Sequence, residues 1–429
     1  MDIKKLMQNL QSFDPELWDI LQISLKRQIN MLSLVPTTNA ATPFVSYLKG
    51  STLGNEFLDH HATEHYSRLE KLACRRMEEL YGAEHAIVRT GSLAAASRVV
   101  LLGLAQTGDT ILSFNLRKQE HCSGGAMQYK FVKFGVEPDT MRIDYVKVAA
   151  LAQEQHPTII ICSPVNYPWE VEYAKLQQIA QENKALLWLD LGQNCGLVAA
   201  KKLPSPVPYG DVVTFATGDA LHGPQNGIIL CRNELADKLD QAVIDTGHVS
   251  LKKNVLAALN IALKEADCEE YNEYAAQVIE NAAALEKGLL QTGCHTLCSP
   301  TQNHLVLVHL PEGQQGEDTE EHLAEAGLLV KPDILMTADD GISFPILRLS
   351  SLDATTRSLT PDDMYKVGVA LGEFLQSPQD ATTIAKLKKF IKKLVENLPL
   401  FSEDWLPEAE VSDLFSNEPD RNALIHWRI

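Results

Sequence analysis

The stretch Asp211–Ile229, DVVTFATGDALHGPQNGII, sets a carboxylate, Asp219, in a turn of small residues between a β-rich run (Asp211–Ala216) and a second apolar run (Gly227–Leu230). Strand ends of this kind are where an α/β chain mounts its chemistry. Asp219 can take or give a proton, but it has no nucleophilic nitrogen and so cannot form an imine. Asp190 closes the apolar run Leu186–Leu189, and Arg348 interrupts the apolar run Phe344–Ser351. An arginine inside an apolar strand asks for a partner, and its planar fork suits the two oxygens of a carboxylate. Thr90-Gly91-Ser92 joins a strand-like run to a helix start. Hydroxyls and free helix-start amides are the parts that hold a phosphate, and the same triplet is also an ordinary helix cap. His60, His61 and His65, and the pair Cys294 and Cys298, have spacings that invite a metal, but neither group has a second patterned set of ligands. They read as loop or helix-start histidines and as buried thiols, with no metal site.

The elements that must position these groups follow from pattern. Leu69–Gly82 has apolar residues at Leu69, Leu72, Ala73, Met77 and Leu80 and ends on glycine, the signature of an amphipathic helix. His85–Arg89 reads as a strand, and the helix that Ser92 opens runs from Leu93 to Leu104. Thr158–Cys162 and Leu186–Asp190 are short, almost wholly apolar strands, as expected where a parallel sheet is covered on both faces. Helices are expected over Asp14–Gln28, Tyr173–Asn183, Leu235–Ile244, Lys253–Ala266 and Tyr271–Thr292, with further strands over Thr301–Leu310 and Phe344–Ser351.

At 429 residues and 45% hydrophobic, the chain can bury a full core and divides into one large and one smaller domain. A net charge of −18 opposes nucleic-acid backbones and anionic membranes. The one basic run, Lys386–Lys393, carries Leu387, Phe390, Ile391 and Leu394 at helical spacing and reads as a solvated amphipathic helix. No run approaches the roughly 20 apolar residues that span a bilayer, and the first residues lack a signal-peptide pattern, so a cytoplasmic protein is expected.

Taken together, these stretches resemble the serine hydroxymethyltransferase family. Leu69–Gly82 is similar to its Val-Glu-Gln-Leu-Ala…Glu-Leu-Phe-Gly helix, Leu191–Ala200 to its Met-Ala-His-Val-Ala-Gly-Leu-Val-Ala-Ala, and Thr301–Leu310 to its Asn-His-Leu strand. The resemblance implies a fold-type I pyridoxal-phosphate transferase of the aspartate-aminotransferase kind. That means a large, mostly parallel seven-stranded sheet domain, a smaller α+β C-terminal domain, and a homodimer with sites between subunits. The implied divisions are an arm over residues 1–50, a cofactor-type domain over 51–250, linking helices and the small domain over 251–401, and an acidic tail over 402–429 that docks on the body or binds a protein partner.

Residue by residue, the family's phosphate-holding Ser-Gly-Ser falls on Thr90, Gly91 and Ser92, and its ring-stacking histidine on His121. Its pyridine-pairing aspartate falls on Asp190, and its arginine for the substrate α-carboxylate on Arg348. Its Ile-Ala-Ser-Glu-Asn segment matches Val35–Asn39, which makes Thr37 a substrate contact. In its Asn-Lys-Tyr-Ala-Glu-Gly segment, Phe57 stands for the tyrosine and Asp59 for the glutamate. The departures are as telling. Where the family's His-Lys-Thr-Leu and Gly-Pro-Arg-Gly-Gly hold the Schiff-base lysine, this chain reads Gly218-Asp219-Ala220-Leu221 and Gly223-Pro224-Gln225-Asn226-Gly227. Asp219 occupies the lysine position, Gln193 replaces a histidine, and Asp245–Ser250 replaces a glycine-rich loop. Ordinary glycine hydroxymethyltransferase activity with folate is therefore not expected.

The leading expectation is an altered enzyme. It binds pyridoxal phosphate, pyridoxamine phosphate or a preformed amino-acid aldimine non-covalently and uses Asp219 or Asp59 as acid/base on an amino-acid-like substrate. The alternatives are a catalytically inactive paralogue serving as scaffold or regulator, and a site for a phosphorylated metabolite at Thr90-Gly91-Ser92 without a pyridine ring. Lys252 and Lys253 stand as candidate substitutes for the missing amine.

Overall fold

The computed structural model describes residues 9–55, 63–114, 128–137, 139–248, 251–336 and 343–407, without the side chains of residues 63–67 and 336. The N-terminal helix α1 (Pro15–Asn30) starts where Asp14 caps the amide of Leu17 and proline takes the first turn. Strand β1 (Leu32–Ser33), helix α2 (Pro43–Lys49) and the long helix α3 (Thr63–Tyr81) follow. Then come β2 (His85–Ile87), α4 (Leu93–Leu104), β3 (Thr110–Phe114), β4 (Lys130–Phe134), α5 (Tyr145–Gln155), β5 (Ile159–Cys162), α6 (Tyr173–Glu182), β6 (Leu186–Gly192), α7 (Cys195–Ala199), β7 (Val212–Ala216), β8 (Gly227–Cys231) and α8 (Asn233–Asp245).

Strands β2 to β8 form a seven-stranded sheet in the order β2-β8-β7-β6-β5-β3-β4. The β3–β4, β3–β5, β5–β6 and β6–β7 ladders are parallel, and β8 runs antiparallel to both neighbours, β2 and β7. The apolar strands predicted from the sequence are the central ones: every residue of β5 is buried, and Leu187, Trp188 and Leu189 of β6 are buried too. Apolar clusters cover both faces of the sheet, one around Ile160, Leu189 and Phe215 and the other around Ile161, Trp188 and Ile229, so alternate residues of one strand serve opposite cores. With β8 reversed, the turn that enters it lies at the same sheet end as the exit of β7, the end that carries Asp219.

The rest of the chain comprises α9 (Lys253–Glu265), α10 (Glu269–Gln291), β9 (Thr296–Leu297), β10 (Leu305–His309), α11 (Gly316–Glu325), β11 (Leu328–Leu329), β12 (Lys331–Met336), β13 (Ser343–Ser350), α12 (Leu352–Thr356), α13 (Pro361–Gln376) and α14 (Ala381–Val395). A second, antiparallel sheet runs β12-β13-β10-β9 over a core that includes Val306, Leu347 and Phe374. Strand β1 pairs with β11 and ties the N-terminal segment to this part of the chain. The basic run lies on α14, which buries Leu387, Ile391 and Val395 and leaves its lysines at the surface. The first residues of the acidic tail pack on the body: the Trp405 indole donates to Thr355 O at 2.8 Å, and the backbone amide of Ser402 to Thr356 O at 2.9 Å.

Candidate active site

The turn between β7 and β8 is closed by its own backbone. Thr217 N donates to Asn226 O (3.1 Å) and Gly223 N to Thr217 O (2.9 Å). From outside, Asn39 Nδ2 donates to Asp219 O at 2.9 Å, and the Tyr271 hydroxyl donates to Ala220 O at 2.6 Å. Asn39 in turn accepts from Thr356 Oγ1 at 2.7 Å, so the segment before α2 and the end of α12 both steady the turn. The Asp219 side chain is half-buried. Burial raises its carboxyl from 3.8 to about 6, against the lowering effect of a hydrogen bond from Gln193. Beside it, burial and then the charge of Asp219 push the Cys195 thiol up, so that sulfur is protonated, and Sγ lies 3.3 Å from Ala216 O.

Asp190 stands at the end of β6, buried at 4% exposure. Its Oδ2 accepts from Ser163 Oγ at 2.8 Å and its Oδ1 from Gly192 N at 3.1 Å. Ser163 begins the segment after β5, so adjacent parallel strands deliver this pair. Ser163 and Gly192 thus orient the carboxylate at the C-terminal side of the sheet.

Thr90-Gly91-Ser92 lies between β2 and α4, against the start of β8. Gly91 adopts φ +72°, and Ser92 caps α4 by accepting from Ala95 N. Thr90 Oγ1 donates to Gly227 O at 2.8 Å, and Gly91 N donates to Asn226 Oδ1 at 2.8 Å. Asn226, 1% exposed, also donates from Nδ2 to Val88 O at 2.8 Å. The contact is so close that a Cβ on Gly227 would meet Ser92 O at 2.1 Å. The Thr90 hydroxyl and the Gly91 amide are thus spent within the chain. The amides of Leu93 and Ala94, which an α-helix cannot satisfy internally, and the donor side of the Ser92 hydroxyl are what this corner offers an anion.

Arg348 projects from β13 toward the segment after β5. Its Nη2 donates to Val165 O at 3.2 Å and its Nη1 lies 3.7 Å from Asp333 Oδ2. Thr37 is exposed in the turn ahead of Asn39. Lys253 is buried at the start of α9, and Lys252 is exposed. Asp59 and His121 lie outside the described residues, as do Phe57, His60 and His61. The structure therefore gathers Asp190, Asp219, Arg348 and the Thr90–Ser92 corner around the exits of β5, β6 and β7. Asn39, two residues after Thr37, is the residue of that segment that reaches the turn.

Sequence reasoning missed Ser163, Asn166, Asp333 and the bridging role of Asn226. Ser163 had a readable signal, a hydroxyl directly after a buried strand; Asp333 had none, because only strand register brings it to Arg348. A pyridoxal-type phosphate meets a mixed donor set here. Asp190 with Ser163 suits the ring, the first turn of α4 suits an anion, and Asp219 offers no amine. A family model described as serine hydroxymethyltransferase matches residues 10–371 of the chain.

Proposed function

This chain belongs to the serine hydroxymethyltransferase family, and we propose that it binds pyridoxal phosphate or pyridoxamine phosphate without a covalent tether and acts on an amino-acid-like substrate. Members of the family depend on pyridoxal phosphate, bind amino acids and typically assemble as oligomers. In this reading the working form is a cytoplasmic homodimer. The observation that carries the reading is the half-buried Asp219, placed on a braced turn beside the buried Asp190–Ser163 pair with its carboxyl raised by burial to about 6.

When bound, the cofactor supplies an electron sink beside the substrate's amine-bearing carbon. Asp190, oriented by Ser163 and Gly192, holds the proton of the ring nitrogen. The amides opening α4 and the Ser92 hydroxyl hold the phosphate. Asp219, with its carboxyl raised to about 6, takes and returns a proton at the substrate, and Gln193 orients it. Asp59 and His121, as a second acid/base and a ring-stacking group, belong to the same reading.

The test is a titration of the purified protein with pyridoxal phosphate and pyridoxamine phosphate, followed by near-ultraviolet absorbance, then borohydride and mass analysis. The reading expects a bound chromophore that dialysis removes and no pyridoxyl adduct on any lysine. An adduct on Lys252, Lys253 or another side chain refutes the untethered site. A second reading, a catalytically silent scaffold or regulator, draws on the internal use of Thr90 and Gly91 by Gly227 and Asn226. It predicts that neither ligand binds.

A further inference from the structure

The turn that carries Asp219 is braced by a segment almost two hundred residues further on. It closes over residues 219–222, with His222 N donating to Asp219 O at 3.4 Å and His222 in the left-handed region at φ +53°. A non-glycine residue stays there only where its surroundings over-determine it. The His222 ring is 2% exposed and sits among aromatics, with Tyr274 at 4.7 Å between centroids, Phe401 edge-on at 5.2 Å and Tyr271 at 6.1 Å. Trp405 in turn lies edge-on to Tyr274 at 5.7 Å.

The segment that brings Phe401 and Trp405 here is fixed along its length. Arg357 Nε donates to Pro399 O at 3.1 Å, Ser402 N to Thr356 O at 2.9 Å, the Trp405 indole to Thr355 O at 2.8 Å, and Ser358 Oγ to Asp404 Oδ2 at 3.1 Å. All four bonds join it to the end of α12 and the two residues after it. Thr356 is also the residue whose hydroxyl holds Asn39, and Asn39 holds Asp219 O. The segment therefore reaches the turn twice: at its end, through Phe401 on His222, and at Asp219 itself, through Thr356 and Asn39. Helix α7 closes the other side, where a Cβ on Gly196 would lie 2.7 Å from Ala220 O.

Resting on the reading of Asp219 as the proton-transfer group, we propose that Phe401 and Trp405 are positioning residues, and that residues 401–405 form a strap that fixes where the Asp219 carboxyl stands. An acid with no covalent bond to the cofactor is placed by packing alone, and small misplacements are costly to proton transfer. The other titratable groups packed on the turn stay neutral: burial raises Tyr271, Tyr274 and Cys195 and lowers His222 to about 4. Asp353, near Tyr274, is also raised by burial to about 6, so the test must subtract it.

The experiment compares the full chain with the double variant Phe401→Ala/Trp405→Ala and with Leu398→Ala, which thins the second core instead. Amide exchange, read by mass analysis of peptides, is expected to be about tenfold faster over residues 217–226 in the double variant, with β5 unchanged. Leu398→Ala should leave residues 217–226 as in wild type. Asp219→Asn is then added to the wild type and to the double variant. The difference in urea midpoint within each pair, followed against pH, cancels Asp353 and isolates Asp219. Its midpoint is expected near 6 with the strap intact and displaced toward 3.8 without it. Exchange at the turn equal to wild type, exchange raised equally in β5, or a midpoint left near 6 overturns the strap. A curve already flat with the strap intact strikes down the proton-transfer reading instead, and the exchange comparison then upholds or overturns the strap by itself. Should the double variant not fold, Phe401→Ala alone is read in the same way.

Discussion

Replacing Asp219 with asparagine tests the electrostatic core of the site through stability alone, with no need to know the substrate. In the unfolded chain this carboxyl titrates near 3.8, and in the folded protein burial holds it at about 6. Between those values the folded state binds the proton and the unfolded state does not. The side chain's contribution to stability is therefore full below about pH 4 and is lost as pH rises through about 6. A gap of about 2 in pK corresponds to about 3 kcal/mol, reduced to about 2 kcal/mol because water still reaches part of the side chain. Asparagine is nearly isosteric and cannot ionise. Whatever constant penalty it adds by altering the contact with Gln193, the difference from wild type should move in its favour by about 2 kcal/mol between pH 4 and pH 8. Urea midpoints of both proteins, measured in half-unit pH steps, give that difference, and subtraction cancels the other carboxylates. A difference that stays flat across the range means that Asp219 titrates as an ordinary surface acid, and the argument for its proton-transfer role fails with it.

Gly227→Ala should break the joint between β8 and the Thr90–Ser92 corner, because the added Cβ would lie 2.1 Å from Ser92 O, 2.4 Å from Ser92 C and 2.6 Å from Thr90 Oγ1. Overpacking against backbone costs about 3 kcal/mol, and losing the Thr90 hydrogen bond adds about 1 kcal/mol. Gly50→Ala, whose nearest neighbours are at 3.7 Å, should be close to neutral, and equal urea midpoints for the two variants would refute the packing argument. His222, buried at 2% exposure with Nδ1 at 2.8 Å from Ala40 O, is lowered by burial from 6.5 to about 4. The unfolded chain protonates it first, so it should cost about 3 kcal/mol of stability as pH falls from about 6.5 to about 4. His222→Gln should flatten that part of the acid limb, and an unchanged acid profile would count against the burial argument.

The fold was legible because its signals are local and repeated. The Thr158–Cys162 and Leu186–Asp190 runs are too apolar for an edge, and they became the central strands β5 and β6. The boundaries of α4 followed from Ser92 as cap and matched at both ends, whereas α3 begins at Thr63, ahead of the apolar stripe that marked it from Leu69. Periodicity finds the buried face of a helix and says little about polar turns that extend it.

The site was legible only where chemistry sits on a strand end. Asp190 and Asp219 could be picked out because each ends or follows an apolar run. Their partners come from elsewhere in the chain: Ser163 for Asp190, Asn39 and Gln193 for Asp219, Asp333 for Arg348. Nothing in a run of letters marks a residue as the diagonal neighbour of another across a ladder, since that depends on register, and register is a property of two strands together. Sequence reading could therefore assign Arg348 a carboxylate by the shape of its fork, but only the paired strands place Asp333 Oδ2 at 3.7 Å from its Nη1. The same holds at the Thr90–Ser92 corner, where the Gly91 amide looks available until Asn226, far along the chain, is found accepting from it. The surroundings of Arg348 and of the Thr90–Ser92 corner are thus both set by side chains remote in sequence.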